Sequence, residues 1–146
     1  MGSISLLEQI QVTPLKKISS NGGEVWHALK ATERSFNGFG EAYFSWVEYK
    51  EIKAWKHHLK MTMNLVVPSG RVRFVFCDLL CDDFREECIG AEFYARVTVP
   101  PKIWFGFQGI SVNPSLVLNL ANLPHDPSEV ERKSREGIQF NWQEAK

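Results

Sequence analysis

The stretch TMNLVVPSGRVRFVFCD (residues 62–78) decides the fold class. Two apolar runs flank Pro68, Ser69 and Gly70, a tight-turn sequence. In the second run Val72, Phe74 and Phe76 alternate with Arg71, Arg73 and Cys77. A period of two marks a strand with one face turned to a core and the other wetter. The whole stretch is therefore expected to be a β-hairpin.

Working outward, most other segments also read as strands. Residues 25–29 follow the turn signal Ser20, Asn21, Gly22, Gly23. Residues 39–49 are rich in aromatics, with Tyr43, Phe44, Trp46 and Tyr49 suited to a pleated, half-buried surface. Further strands are expected at 96–99, stopped by Pro100 and Pro101, and at 103–107 and 116–120. Helix is scarce. Asp126 as a cap, Pro127 at the first helical position and Glu129 completing a capping box predict a short helix ending near Lys133. A second short helix is expected at residues 3–9. Short strands at intervals of roughly ten residues, parted by Gly and Pro turns, indicate an all-β sandwich or barrel. Closing the sheet removes edges that so many apolar strands would otherwise expose. A double-sheet jelly roll spanning residues 1–146 as one domain is the expected architecture.

Composition narrows the function classes. Hydrophobic residues make up 44% and charged residues 23% of the 146, ordinary for a globular chain. Seventeen basic residues balance seventeen acidic ones, so no net field draws in nucleic acid or a membrane surface. No apolar run is long enough for a spanning helix. Glu8 ends an N-terminal stretch too short for a signal peptide, so a cytoplasmic location is expected. Cys77, Cys81 and Cys88 are an odd number without zinc-like spacing, which predicts reduced thiols.

Chemistry concentrates in IKAWKHHLK (residues 52–60), where Lys53, Lys56, His57, His58 and Lys60 crowd together. A desolvated lysine near other cations loses basicity and becomes a possible general base, while histidine already titrates near neutrality. A cation that stays charged grips a phosphate. The competing reading is a solvated strand edge, charged against aggregation. A metal centre is not expected. His57 and His58 are adjacent and point to opposite faces of a strand, while His27 and His125 fall on a strand and in a turn.

The chain resembles the sugar-nucleotide 3,5-epimerases that act on dTDP-4-dehydro-6-deoxyglucose, and the related 3,4-ketoisomerases. The likeness covers roughly residues 8 to 142. It rests on GEVWH (23–27), GEAYFS (40–45), IKAWKHH (52–58), VPSGRV (67–72), the segment 94–107 with VPP (99–101), and DPSEVER (126–132). The resemblance implies a cupin-type jelly roll without cofactor that binds a nucleotide sugar or other carbohydrate. It also implies a homodimer, in which residues 24–29 cross to the partner and bring Trp26 and His27 to its site.

The carry-over is uneven. Lys53 stands where the family has a phosphate-binding arginine, and keeps a cation without the bidentate fork. Lys56 stands at the base histidine. His58 matches a second histidine of the ketoisomerases and is the first candidate for the titrating group. Trp55 lies between the two lysines and is a candidate to stack on the ligand. Glu41 and Tyr43 replace a substrate-binding Gln and Asn, and Tyr43 is a candidate displaced proton donor. Met63, Phe105 and Leu123 stand where the family has a lysine, a histidine and the catalytic tyrosine, and the carboxylate that orients the base has no clear counterpart near residues 139–141. Three readings follow: a deoxysugar isomerase or epimerase with an altered site, serving deoxysugar or surface-polysaccharide synthesis; a non-catalytic cupin that binds a sugar nucleotide or glycan; and, disfavoured by the histidine spacing, a metal-dependent cupin.

Overall fold

The structure is a computed structural model that describes residues 5–80 and 82–143. Its strands are β1 (Gln11–Pro14), β2 (Lys17–Ser20), β3 (Gly23–Trp26), β4 (Glu41–Val47), β5 (Ile52–His58), β6 (Met63–Ser69), β7 (Arg71–Asp78), β8 (Asp83–Gly90), β9 (Ala95–Val99), β10 (Trp104–Gly109), β11 (Ser115–Ala121) and β12 (Val130–Arg132). Two five-stranded antiparallel sheets, β1-β9-β6-β11-β4 and β12-β5-β10-β7-β8, face each other as a cupin jelly roll. The hairpin β2–β3 stands apart from both. No helix among the described residues is long and apolar enough to cross a membrane.

The stretch 62–78 forms two strands, as its period requires, but they do not pair with each other. β6 lies between β9 and β11 in one sheet, and β7 lies between β10 and β8 in the other. Pro68, Ser69 and Gly70 therefore make a corner between sheets rather than a hairpin turn. Gly70 adopts φ of +86°, and a Cβ there would run into Ser115 of β11. The Ser115 hydroxyl accepts from the Arg71 amide at 3.0 Å, so a distant strand fixes the corner.

Both faces of β7 are buried, which also corrects the expected wetter face. Val72, Phe74 and Phe76 join Leu65, Val67, Val97, Val99 and Phe105 between the sheets. Val75 and Cys77 pack on the outer side with Trp55 under Ile138 and Trp142 of the C-terminal segment. Arg73 is 1% exposed, its guanidinium bonded to Glu86 and to the Trp142 carbonyl. Cys77 and Cys88 are unpaired thiols, whereas Cys81 lies outside the described residues.

The expected helices shrink to single 3-10 turns. Leu6–Gln9 is capped by the Ser5 hydroxyl, while residues 3 and 4 lie outside the described residues. Asp126 does cap Pro127–Glu129 by accepting from the Ser128 amide, but the chain then extends as β12 alongside β5. Sheet pairing of Val130, Glu131 and Arg132 with His58, His57 and Lys56 outweighs the local capping signal.

Candidate active site

Between the sheets lies a cavity of about 450 Å³. Met63, Leu65, Phe105, Phe107 and Val117 give it an apolar floor, and Tyr43, Ser45 and Asn119 a polar wall. Lys53, Lys56, Arg132 and Lys133 also line it, and no carboxylate does so among the described residues.

A bulge brings the two site lysines together. On a regular strand, residues three apart face opposite sides. Here β10 pairs Phe105 with Lys56 but Gly106 with Ala54, so Trp55 is the extra residue and Lys53 and Lys56 both border the cavity. Gly106 permits this, because a Cβ there would sit 2.6 Å from that of Ala54. Lys53 reaches across to β4 and donates to the Trp46 carbonyl at 2.9 Å. Burial lowers the pKa of Lys56 below the ordinary lysine value; Arg132 adds to the effect and Glu129 opposes it.

Trp55 is 2% exposed, its indole N–H donates to the Arg135 carbonyl, and its ring packs on Phe140 and Trp142. It packs mainly into the outer cluster while still bordering the cavity between Ala54 and Lys56. His57 points outward, stacked on Trp104 and paired with Glu131 at 3.0 Å.

His58 is 4% exposed, stacks on Phe105 and is not among the residues lining the cavity. Its Nδ1 lies 2.5 Å from Glu129 Oε1, and Glu129 Oε2 accepts from the amides of Lys60 and Met61. Burial lowers the His58 pKa against the opposing pull of Glu129. Burial acts to raise the Glu129 pKa, but its bonds from His58 and the backbone overcome this and leave the value lowered. The pair therefore rests as neutral imidazole and carboxylate, with Nδ1–H donating and Nε2 unbonded.

Tyr43 lies on the cavity wall, its oxygen accepting from Asn119 Nδ2 at 3.0 Å. Glu41 is on the same strand but lies outside the cavity lining, and accepts from the His125 amide. His27 follows β3, away from this chain's cavity, where its carbonyl accepts from Tyr94. Among the described residues no three potential metal ligands cluster.

Four participants escaped the sequence reading: Arg132, Lys133, Glu129 and Asn119. The first three were hidden in the expected helix. One signal was available, since Val130 is the only aliphatic residue of 126–133 and such a segment has no apolar helical face. Asn119 was hidden in an apolar run, although Ser115, Val117, Asn119 and Ala121 share one strand parity and are all buried.

No family model matches the chain, and no curated protein matches it in sequence. Among solved structures, a dTDP sugar isomerase from Desulfovibrio desulfuricans G20 superposes with a TM-score of 0.89 at 32% identity, covering 99% of this chain and 98% of that one. A sugar 3,4-ketoisomerase from Thermoanaerobacterium thermosaccharolyticum in complex with TDP gives 0.75 at 16% identity, over 90% of this chain and 93% of that one. A dTDP-4-dehydrorhamnose 3,5-epimerase from Sulfolobus tokodaii gives 0.76 at 15%, over 90% and 80% respectively. The last two share the fold.

Proposed function

The chain belongs to the family of dTDP-sugar isomerases, and on that footing we propose that it binds a nucleoside-diphosphate 4-keto-6-deoxyhexose and shifts a proton beside the ketone through an altered site. The carrying observation is the cavity lining: four cations and no carboxylate among the described residues, set over an apolar floor. Such a site favours an anion joined to a partly apolar ring, and the cations act at short range where the chain has no net charge. Lys53, Arg132 and Lys133 hold the diphosphate. Arg132 supplies the planar fork that Lys53 lacks.

Lys56 is the base, because it reaches the cavity and its ammonium is destabilised by burial and Arg132. A ketone acidifies the neighbouring C–H, so one base and one opposed proton donor suffice for the shift. Tyr43 is that donor, on the facing sheet. His58 and Glu129 secure β5 to the segment that carries Arg132. The setting we propose is deoxysugar or surface-polysaccharide synthesis in the cytoplasm.

A homodimer is part of this proposal. The β2–β3 hairpin is solvated along most of its length, with Ile18 46% and Val25 53% exposed. Trp26 ties the hairpin to Tyr94 of this chain, and a second copy that covers Ile18 and Val25 and takes Trp26 and His27 to the edge of its site buries the apolar face left open.

Titration calorimetry with TDP, followed by incubation with dTDP-4-keto-6-deoxyglucose in deuterated water, tests the reading. Saturable TDP binding that weakens with salt, and deuterium entering the sugar carbons, are expected. Absence of TDP binding at millimolar ligand would refute the site. Tight binding with no exchange at any carbon would replace the isomerase by a sugar-nucleotide binder.

A further inference from the structure

We propose that Tyr43 and Asn119 together recognise an α-hydroxyketone, so that the reaction at this site is a 3,4-keto shift and not epimerisation at C3 and C5; this rests on the sugar-nucleotide reading above. The two residues are direct cross-strand partners on β4 and β11, and both line the cavity. Asn119 is 3% exposed, and its inward-facing neighbours Val117 and Ala121 belong to the apolar core. Burying a polar group without a partner is unfavourable. Asn119 meets half its requirement by donating from Nδ2 to the Tyr43 oxygen at 3.0 Å, while its Oδ1 is buried without a hydrogen bond.

This arrangement fixes the polarity of the pair. Because the Tyr43 oxygen accepts from Asn119, its own O–H is left to donate elsewhere, and no described residue accepts it. The pair thus offers one donor, the phenol O–H, beside one acceptor, the amide Oδ1. A ketone oxygen needs a donor and a hydroxyl needs an acceptor. In a 4-keto-6-deoxyhexose the C3 side carries a hydroxyl next to the ketone, whereas C5 carries a methyl group and the ring oxygen. Only the C3–C4 edge complements the pair.

The chemistry closes on these groups. Neutral Lys56 takes the C3 proton, the C–H electron pair forms the C3–C4 double bond, and the C4 oxygen takes the Tyr43 proton to give an enediol. The Asn119 N–H stabilises the resulting phenolate. Collapse reverses the roles: the phenolate takes the O3 proton, C3 becomes the ketone, and the Lys56 ammonium delivers a proton to C4. C3 is oxidised as C4 is reduced, and both side chains return to their starting forms.

The test follows the ketone carbon by 13C NMR during incubation with dTDP-4-keto-6-deoxyglucose in deuterated water. The expected product has its ketone at C3, deuterium at C4 and none at C5. Deuterium at C5 with the ketone still at C4 overturns this inference and leaves the proposed function standing, whereas failure to bind TDP removes the function itself. Asn119→Leu is expected to lower kcat at least tenfold while the Kd for TDP stays within twofold. A kcat and KM both within twofold of the parent overturn the assignment of Asn119. Asn119→Ser serves the same purpose should the leucine variant not fold.

Discussion

Removing the Glu129 carboxylate is the most direct probe of how the C-terminal segment is held against the site. In Glu129→Ala three donors lose their acceptor: the His58 ring N–H and the amides of Lys60 and Met61. Each buried donor left without a partner costs about 1–3 kcal/mol. The Lys60 amide is the least enclosed, and water entering the space left by the carboxylate recovers part of the loss. A net cost of about 3–5 kcal/mol follows from the three stranded donors after that recovery. Against a total stability of about 5–15 kcal/mol that is a large fraction.

Urea unfolding at pH 7.5, followed by far-UV circular dichroism, measures this directly. A loss below about 1 kcal/mol would refute the claim that Glu129 anchors the segment, because surface substitutions fall within about 0.5 kcal/mol. The pH dependence provides a second check with a definite sign. Native His58 has a pKa below its ordinary 6.5. As pH falls through that value, the unfolded chain binds a proton that the native imidazole refuses, and stability drops until native His58 also titrates. Glu129 has its native pKa lowered from 4.5, so its contribution is complete above that value and lost as pH falls through the native one. Both terms weaken the protein in acid, and the His58 term begins near pH 6.5, well before any carboxylate titrates. The fall in urea midpoint between pH 7.5 and 5.5 should shrink in His58→Leu; an unchanged fall in that variant contradicts the burial-lowered pKa of His58.

Two further outcomes concern catalysis. The base must be the neutral amine, so turnover should rise with pH along a limb set below 10.5 by the lowered pKa of Lys56; Lys56→Met should reduce kcat by about 10²–10⁴-fold and Lys56→His should move the limb toward neutrality. Arg132→Met should weaken TDP binding and move the same limb to higher pH, because Arg132 depresses the Lys56 pKa, whereas Lys53→Met should weaken binding with the limb in place; matching pH profiles for the two variants would count against the coupling.

The class of fold was legible because strand period, turn residues and proline stops are local, and residues 96–99 and 116–120 lie inside β9 and β11. Pairing was not legible, because Pro68, Ser69 and Gly70 give the same local signal for a hairpin and for a corner. What makes them a corner is Ser115, some forty residues away. β8 went unrecognised for a different reason: it is an edge strand whose Arg85, Glu86 and Glu87 break the alternation, and edges tolerate charge. The lysine-histidine segment was legible as a cluster of cations, but its sidedness depends on the bulge at Trp55 and hence on Gly106 of a different strand.

On the proposed function, one residue of β12 makes up for the bidentate fork that Lys53 lacks. That residue is Arg132, opposite Lys56 across the β5–β12 pairing. From that position it meets two demands with one charge: it offers a planar grip for a phosphate, and it destabilises the Lys56 ammonium next to it. A lysine in open solvent is too basic to deprotonate a carbon at neutral pH, so a lysine base of the kind proposed requires such a neighbour. Glu129 then has to be satisfied elsewhere, since a free carboxylate beside Lys56 would restore its charge. Its bonds to His58, Lys60 and Met61 spread its negative charge over three donors outside the cavity lining. The histidine-carboxylate pair and the proposed lysine base are therefore parts of one electrostatic arrangement, and the short strand β12 is the element that brings both into place.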